Sequence, residues 1–367
     1  MKIKELMSII DQHVPLKTAE SWDNVGLLIG DDTKEITGIL TALDCTMEVI
    51  EEAISKGYNT IIAHHPLIFK GVKSLVNDGY GKLIHMLIQN DIQLIALHTN
   101  LDNHIDGVNE MLAKKLNLTN IRFLNEEESF YYKVQTYIPE ENLESFKYHI
   151  NNIGLAKEGN YEYCFFESKG KGQFKPVGDA RPHIGELNRI EHVNEVKVEF
   201  MIRKDQLSIA KNAIINYHPY ETPVYDFIKM TTSANYGLGK IGELNEPLNL
   251  EDFAKYAKAH LNIPSVRYTG PSEALIKTVA IIGGAGIGFE TSAFKKGADV
   301  FVTGDIKHHD ALDAKTNGIH LLDINHYSEY VMKEGLKDLL GRWLFSNDSK
   351  QFNIEASEIN TDPFNYI

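Results

Sequence analysis

The sequence predicts an α/β protein: a duplicated α/β host domain that carries an inserted ferredoxin-like domain. Three observations predict it. Short apolar strands alternate with amphipathic helices at both ends of the chain, the pattern of layered α/β structure. The two ends repeat the same punctuation. The middle has another order, β-α-β followed by β-α-β, which is that of a ferredoxin-like unit. At ~150 residues per domain, the 367 residues leave room for this organisation.

At the N-terminal end, Ile3, Leu6, Met7 and Ile10 fall at helical spacing, so Met1 to Val14 reads as an amphipathic helix. Then come a strand at Gly38–Leu43, a helix at Met47–Lys56, a strand at Thr60–Ala63, a helix at Tyr80–Gln89 and a strand at Ile92–Leu97. The C-terminal end repeats this. Strand Thr278–Ile282 meets the turn Gly283-Gly284-Ala285-Gly286, a helix runs to Lys296, and strand Asp299–Val302 follows. A helix near Ala311, strand Ile319–Asp323 and a last helix from about Tyr327 complete it. Lys56-Gly57-Tyr58-Asn59 and Lys296-Gly297-Ala298-Asp299 lead equivalent strands in the two copies. With only two copies, the chain is not a solenoid.

Between the copies lie strand Tyr132–Ile138, helix Glu140–Ile150, strand Tyr161–Glu167, a Gly/Pro-rich loop Gly170–Pro182, strand Glu195–Ile202, helix Lys204–Tyr217 and strand Val224–Met230. The expected division is host domain 1–128, insertion 129–235 and host domain 236–367. Gly237-Leu238-Gly239-Lys240-Ile241-Gly242 matches a dinucleotide-binding pattern, but its helix is delayed to about Leu250. It reads as the hinge that returns the chain to the host domain.

Composition narrows the function. The net charge of −14 repels phosphate backbones and makes nucleic-acid binding unlikely as a role. The two cysteines, Cys45 and Cys164, form no C-x-x-C pair, so thiolate zinc and thioredoxin chemistry drop out. No apolar run approaches the ~18 residues of a membrane span, and residues 1–14 resemble neither a secretion nor a transit signal. The expectation is a cytoplasmic protein. No P-loop and no G-x-S-x-G elbow is present.

The fifteen histidines are more informative. His64-His65-Pro66, His98-Thr99-Asn100-Leu101-Asp102 and Asn325-His326-Tyr327-Ser328-Glu329 each follow the end of a strand. Adjacent residues within a strand face opposite sides, so His64 and His65 converge only where the strand stops; Pro66 removes a ladder donor there. His326 and Glu329 share a face at a helix start. Ligands gather beyond the carboxyl ends of strands in open α/β sheets. The candidate metal ligands are therefore His64, His65, Asp102, His326 and Glu329. Five exceed the three protein ligands of a simple catalytic zinc. They suit two divalent ions ~3.5–4 Å apart, bridged by a carboxylate and a nucleophilic hydroxide. Zinc is expected first, with iron, manganese or nickel as alternatives. His85, His104, His192 and His260 read as ordinary polar residues.

Weaker candidates surround this set. Trp22, Asp23 and Asn24 either line a cleft or form a buried Trp with a capping Asp. Gly283 to Gly288 is either an anion cradle or a tight turn. His98, Thr303, Asp305 and His309 are supporting or substrate-contacting residues, or else turn residues.

With these motifs in hand the chain resembles the NIF-three-like dinuclear metal-centre family, whose members are labelled type 2 GTP cyclohydrolase 1 homologues. The resemblance rests on Ala19-Glu20-Ser21-Trp22-Asp23-Asn24-Val25-Gly26, Ala63-His64-His65-Pro66-Leu67, His98 to Asp102, Gly237 to Leu244, Thr303-Gly304-Asp305, and His326 with Glu329. The middle segment, through Gly172-Gln173-Phe174-Lys175-Pro176 and His218-Pro219-Tyr220-Glu221-Thr222-Pro223, is similar to the family's long bacterial form with a PII/CutA-like insertion. The resemblance implies two metals per subunit on the five residues above, a toroidal homohexamer, and hydrolysis of a small, nucleotide-like substrate. Asn325 departs from it, standing where many members have Gly. The alternative is a non-catalytic metal-binding or regulatory scaffold.

Overall fold

Burial on both faces explains why the predicted host strands are mostly apolar. The computed structural model describes residues 1–345 and 352–367. The strands of the first repeat are β1 (Gly26–Ile29), β2 (Gly38–Ala42), β3 (Thr60–Ala63) and β4 (Gln93–Ala96). Next come β5 (Thr119–Pro139), β6 (Phe166–Phe174), β7 (Glu191–Arg203) and β8 (Tyr225–Asn249). The second repeat holds β9 (Arg267–Thr269), β10 (Leu275–Ile281), β11 (Val300–Thr303) and β12 (Leu321–Asp323), and β13 (Asn353–Ala356) ends the series. The chain forms two compact units, Met1–Glu127 with Asn235–Ile367, and Glu128–Ala234.

In the larger unit the repeats have one topology. Strands β2, β3 and β4 run parallel in that order, with β1 antiparallel beside β4. Strands β10, β11 and β12 run parallel in that order, with β9 antiparallel beside β12. On β2–β4, Leu40, Ile61 and Leu94 pack with Val49, Ile50, Ile84 and Leu87 of helices Met47–Lys56 and Gly79–Gln89. The alternate residues Ile39, Ile62 and Ile95 join the core that contains Ile3, Leu6 and Ile10 of helix Ile3–His13.

In the smaller unit the sheet order is β6-β7-β5-β8. Helices Leu143–Asn152 and Leu207–Tyr217 contribute Phe146, Ile150, Ala210 and Ile214 to the core with Val134, Val198 and Phe200. This is the strand order and helix placement of a ferredoxin-like unit.

Three sequence expectations are corrected. The strand expected at Tyr161–Glu167 is Phe166–Phe174, which takes the first five residues of the expected Gly/Pro-rich loop. Gly172 marks a close approach inside it: a Cβ there would lie 2.0 Å from Glu195 Oε2. The glycine-rich Gly237–Gly242 is not a hinge loop but part of β8. Its Lys240 is buried, donates to the Ile105 carbonyl at 2.8 Å and pairs with Glu110 at 3.3 Å. The last helix begins later than Tyr327, because His326–Val331 is a 3₁₀ helix that precedes the α-helix Met332–Leu344.

Candidate metal centre

Five parallel-strand ends of the larger unit deliver side chains to one place. Asp44 follows β2, His64 and His65 follow β3, and His98 and Asp102 follow β4. From the second repeat, Asp305 follows β11, and His326 and Glu329 follow β12. The 3₁₀ geometry of His326–Val331 has three residues per turn, so positions i and i+3 stack. Accordingly His326 Nε2 lies 3.4 Å from Glu329 Oε2. Asn325 takes φ 62° with ψ 153° there, a backbone region essentially confined to glycine, so the position is strained. Its N–H donates to Asp323 Oδ1 at 3.0 Å, and its Nδ2 donates to the Ser265 carbonyl at 2.7 Å.

Each imidazole is held by Nδ1. His64 Nδ1–H donates to the Leu97 carbonyl at 2.8 Å. His65 is held by Asp44 at 2.6 Å, His326 by Asp305 at 2.7 Å, and His98 by Asp23 at 2.9 Å. The rings of His64, His65 and His326 present Nε2 to a common centre. His65 Nε2 is 3.2 Å from both Glu329 Oε2 and His326 Nε2. His64 Nε2 is 3.6 Å from Asp102 Oδ1 and 3.8 Å from Glu329 Oε2. A ring fixed at one nitrogen by a carboxylate or carbonyl, with the other nitrogen pointing inward, is the usual arrangement of a metal-ligating histidine.

Three groups here have ligand atoms within 4.8 Å of one another: His64, Asp102 and Glu329; His65, His326 and Glu329; and His64, His65 and His98. Glu329 belongs to the first two. His64 Nε2 and Asp102 Oδ1 are fully buried with no hydrogen-bond partner. Leaving a buried polar atom unpartnered costs about 1–3 kcal/mol, so this donor set fits a bound cation.

The electrostatics follow from the packing. Burial drives the His64 imidazolium down to about 3, so the ring is neutral. Burial also disfavours charge on His65, but its hydrogen bonds to Asp44 and Glu329 outweigh it and raise the ring to about 10. Glu329, then Asp305, raise His326 to about 9 against its burial. Asp102 is pushed up by burial and by the adjacent Glu329. Burial acts in the same sense on Glu329, but hydrogen bonds from His326 and His65 hold it well below the usual carboxylate range. The Glu329 carboxylate packs under the Gly283-Gly284 turn, where a Cβ on Gly283 would come within 2.7 Å of Oε1. This turn, one of two readings of Gly283 to Gly288, therefore serves close packing. Asn109 ties it to the other repeat, accepting from the Gly283 N–H at 2.8 Å and donating to the Asp102 carbonyl at 3.1 Å.

The outer candidates divide. Asp23 supports the site: it holds His98 and accepts from the Thr99 hydroxyl at 2.5 Å and the Thr99 N–H at 3.0 Å. Burial opposes its ionisation, but His98 and Thr99 lower it to about 2. Trp22 is 58% exposed, not buried, and its ring lies edge-on 6.2 Å from that of His98. Asn24 braces a loop through the Ile68 carbonyl at 2.5 Å. Thr303 is buried and accepts from the Gly286 N–H at 2.7 Å, which makes it a turn residue. His309 is exposed at the start of helix His308–Thr316 and joins none of the three groups.

Sequence reading passed over Asp44, although it stands at a strand end like the others. It also passed over Thr361, whose hydroxyl donates to Asp44 Oδ2 at 2.5 Å. Asp44→Ala is expected to weaken metal binding by about 10–100-fold, because His65 loses its orienting acceptor. Competition with a chromogenic chelator measures this, and an unchanged affinity would show that Asp44 orients nothing.

A cleft of about 940 Å³ opens beside the site. Asp44, His65, Asp305 and His326 form one part of its wall; Leu67, Tyr80, Leu83 and Phe364 form an apolar part. No helix among the described residues is long and apolar enough to cross a membrane.

Proteins similar to this chain in sequence and fold match it over essentially its whole length. The family model Duf34/NIF3 (NGG1p interacting factor 3) matches residues 1–363. A Staphylococcus epidermidis protein named GTP cyclohydrolase 1 type 2 homolog is 66% identical over 366 residues, covering 100% of both chains. A Staphylococcus aureus protein of the same name is 63% identical over 367 residues, again covering 100% of both. Among solved structures, a Staphylococcus aureus protein superposes with a TM-score of 0.87 at 58% identity, covering 100% of this chain and 99% of the other. A Bacillus cereus protein related to NIF3 does so with a TM-score of 0.75 at 36% identity and the same coverage.

Proposed function

Because this chain belongs to the Duf34/NIF3 family, we propose that it is a metal-dependent hydrolase of a nucleotide-like small molecule, with two divalent ions per subunit. The observation that carries this reading is the sharing of Glu329 between two donor groups beside buried, unpartnered His64 Nε2 and Asp102 Oδ1. One ion is assigned to His64, Asp102 and Glu329, the other to His65, His326 and Glu329. Imidazole and carboxylate donors suit zinc first, then iron, manganese or nickel. When bound, such ions lower the pKa of water toward ~7 and supply a nucleophile at neutral pH.

The chain's own residues do the remaining work. Asp44 and Asp305 hold His65 and His326 in the tautomer with Nε2 inward. Asp23 fixes His98 above the same centre. The cleft receives the substrate, its apolar wall taking a flat ring and its polar wall the reacting group. The assembly in this reading is a toroidal homohexamer, as the family resemblance implies.

One observation favours the second reading, a metal-binding or regulatory scaffold without turnover. Asp44 and Asp305, the carboxylates against the ligand rings, are both engaged in holding them. Among the described residues no uncommitted general base is seen at that point.

The test is turnover of GTP, nucleoside monophosphates and bis(p-nitrophenyl) phosphate by metal-free and metal-loaded protein. The hydrolase reading expects metal-dependent turnover that His65→Ala abolishes. Firm binding of two ions with no turnover across the panel would establish the scaffold instead.

A further inference from the structure

The cleft beside the metal centre is acidic. Asp44, Asp305, Asp323 and Asp362 all line it. Among the described lining residues, Arg267 is the one that carries a guanidinium or ammonium group. It opens β9, opposite Asp323 in the antiparallel pair with β12, and His326 lies three residues beyond Asp323. Its Nη2 is committed to the buried Asp323 carboxylate and to the Ile306 carbonyl, the latter at 3.2 Å. Among the described residues no hydrogen bond from Nε or Nη1 is seen, and the side chain is 72% exposed. The head group is thus anchored at Nη2 and leaves Nε–H and Nη1–H as single, separately directed donors.

We propose that Arg267 binds the phosphate of a nucleoside-phosphate-sized substrate in this cleft. Resting on the hydrolase reading above, this names its substrate class and assigns a specificity residue. Nη1–H can give a phosphate oxygen a charge-assisted hydrogen bond. Anchorage of Nη2 by Asp323 fixes that donor before the ligand arrives, which lowers the entropy cost of binding. Once His65 and His326 give up their protons to take a metal, Arg267 is the side-chain cation left among the described lining residues to meet an anionic ligand beside the bound cations. A cleft of about 940 Å³ accommodates a base, a sugar and a phosphate.

The test is a cycle between ligand and protein. Binding of guanosine 5′-monophosphate and of guanosine to zinc-loaded, full-length protein is measured by calorimetry for wild type, Arg267→Gln and Arg267→Lys. Exposed Arg342→Gln is the control for net charge. Arg267→Gln is expected to weaken the monophosphate about tenfold or more and guanosine less than about twofold, with Arg267→Lys in between because it keeps the charge but cannot hold Asp323 and a phosphate with separate, fixed donors. A merely structural role would weaken both ligands alike, so the difference between them reports the phosphate contact. Arg267→Lys keeps a cation beside buried Asp323 and serves if the glutamine variant does not fold.

Equal losses for the two ligands, or wild-type protein that does not bind the monophosphate, would overturn the assignment. Phosphate-selective loss without turnover in any protein would remove the hydrolase reading and leave Arg267 as a phosphate-binding residue. Turnover that persists with no phosphate-selective loss would do the reverse.

Discussion

Glu329→Gln is expected to release both ions, whereas His326→Ala is expected to retain one. The difference comes from valence. A carboxylate has two oxygens and a full negative charge, and imidazole offers one nitrogen lone pair. Glu329 Oε2 stands 3.2, 3.4 and 3.8 Å from the Nε2 atoms of His65, His326 and His64, and the residue belongs to both donor groups. Two close dications repel strongly where the dielectric is low, and an anion between them offsets that repulsion. Glutamine keeps the shape and loses the charge, so a loss of at least roughly 100-fold in affinity is expected for each ion. His326→Ala removes a donor from one group only. Metal analysis with titration calorimetry on both variants measures this. If Glu329→Gln kept two ions at near wild-type affinity, the bridge would be Asp102 or solvent.

Metal binding is expected to strengthen steeply with pH, and the metal-free protein to weaken. In the metal-free fold His65 titrates at about 10 and His326 at about 9, so both are protonated at neutral pH. Ligation needs their neutral Nε2, so loading this group displaces two protons. Below pH 9 the apparent affinity should then rise by roughly two log units per pH unit. His64, at about 3, already presents a free lone pair and contributes no such dependence.

The stability of the metal-free protein has the opposite sign. A folded-state pKa raised above the ordinary histidine value of ~6.5 gives stability that is complete below that value. It is lost as pH rises through about 9 and then about 10. The gap in Tm between loaded and metal-free protein should therefore widen from pH 6.5 to 10. Scanning calorimetry across that range measures it, and a constant gap would show that no proton leaves on loading.

Much of this architecture is legible in the residues. The β2–β4 strands are buried on both faces and are mostly apolar, which is why Ile39-Leu40, Ile61-Ile62-Ala63 and Leu94-Ile95-Ala96 stand out. The duplication is legible because equal topologies need equal punctuation. The five expected metal-type residues were legible because each follows a strand end, where an α/β sheet gathers its ligands, and the structure brings their donor atoms together. Asp44 obeys the same rule but is a single carboxylate in Leu43-Asp44-Cys45, with no second metal-type residue beside it to attract notice.

Other features belong to contacts between distant segments. Nothing local to Thr361 or Arg267 marks either one: the first meets Asp44 across 317 positions and the second meets Asp323 across 56. His309 has the same chemistry as His326 and also follows a strand, yet it is exposed at the start of helix His308–Thr316. The sequence by itself determined the layers, the repeat and the residue types that converge, because hydrophobic period and strand ends are local properties of the chain. Only the tertiary structure decided which carboxylate holds which imidazole, which buried atoms lack a partner and how far each pKa moves, because those depend on distances of a few ångströms between residues far apart in the chain.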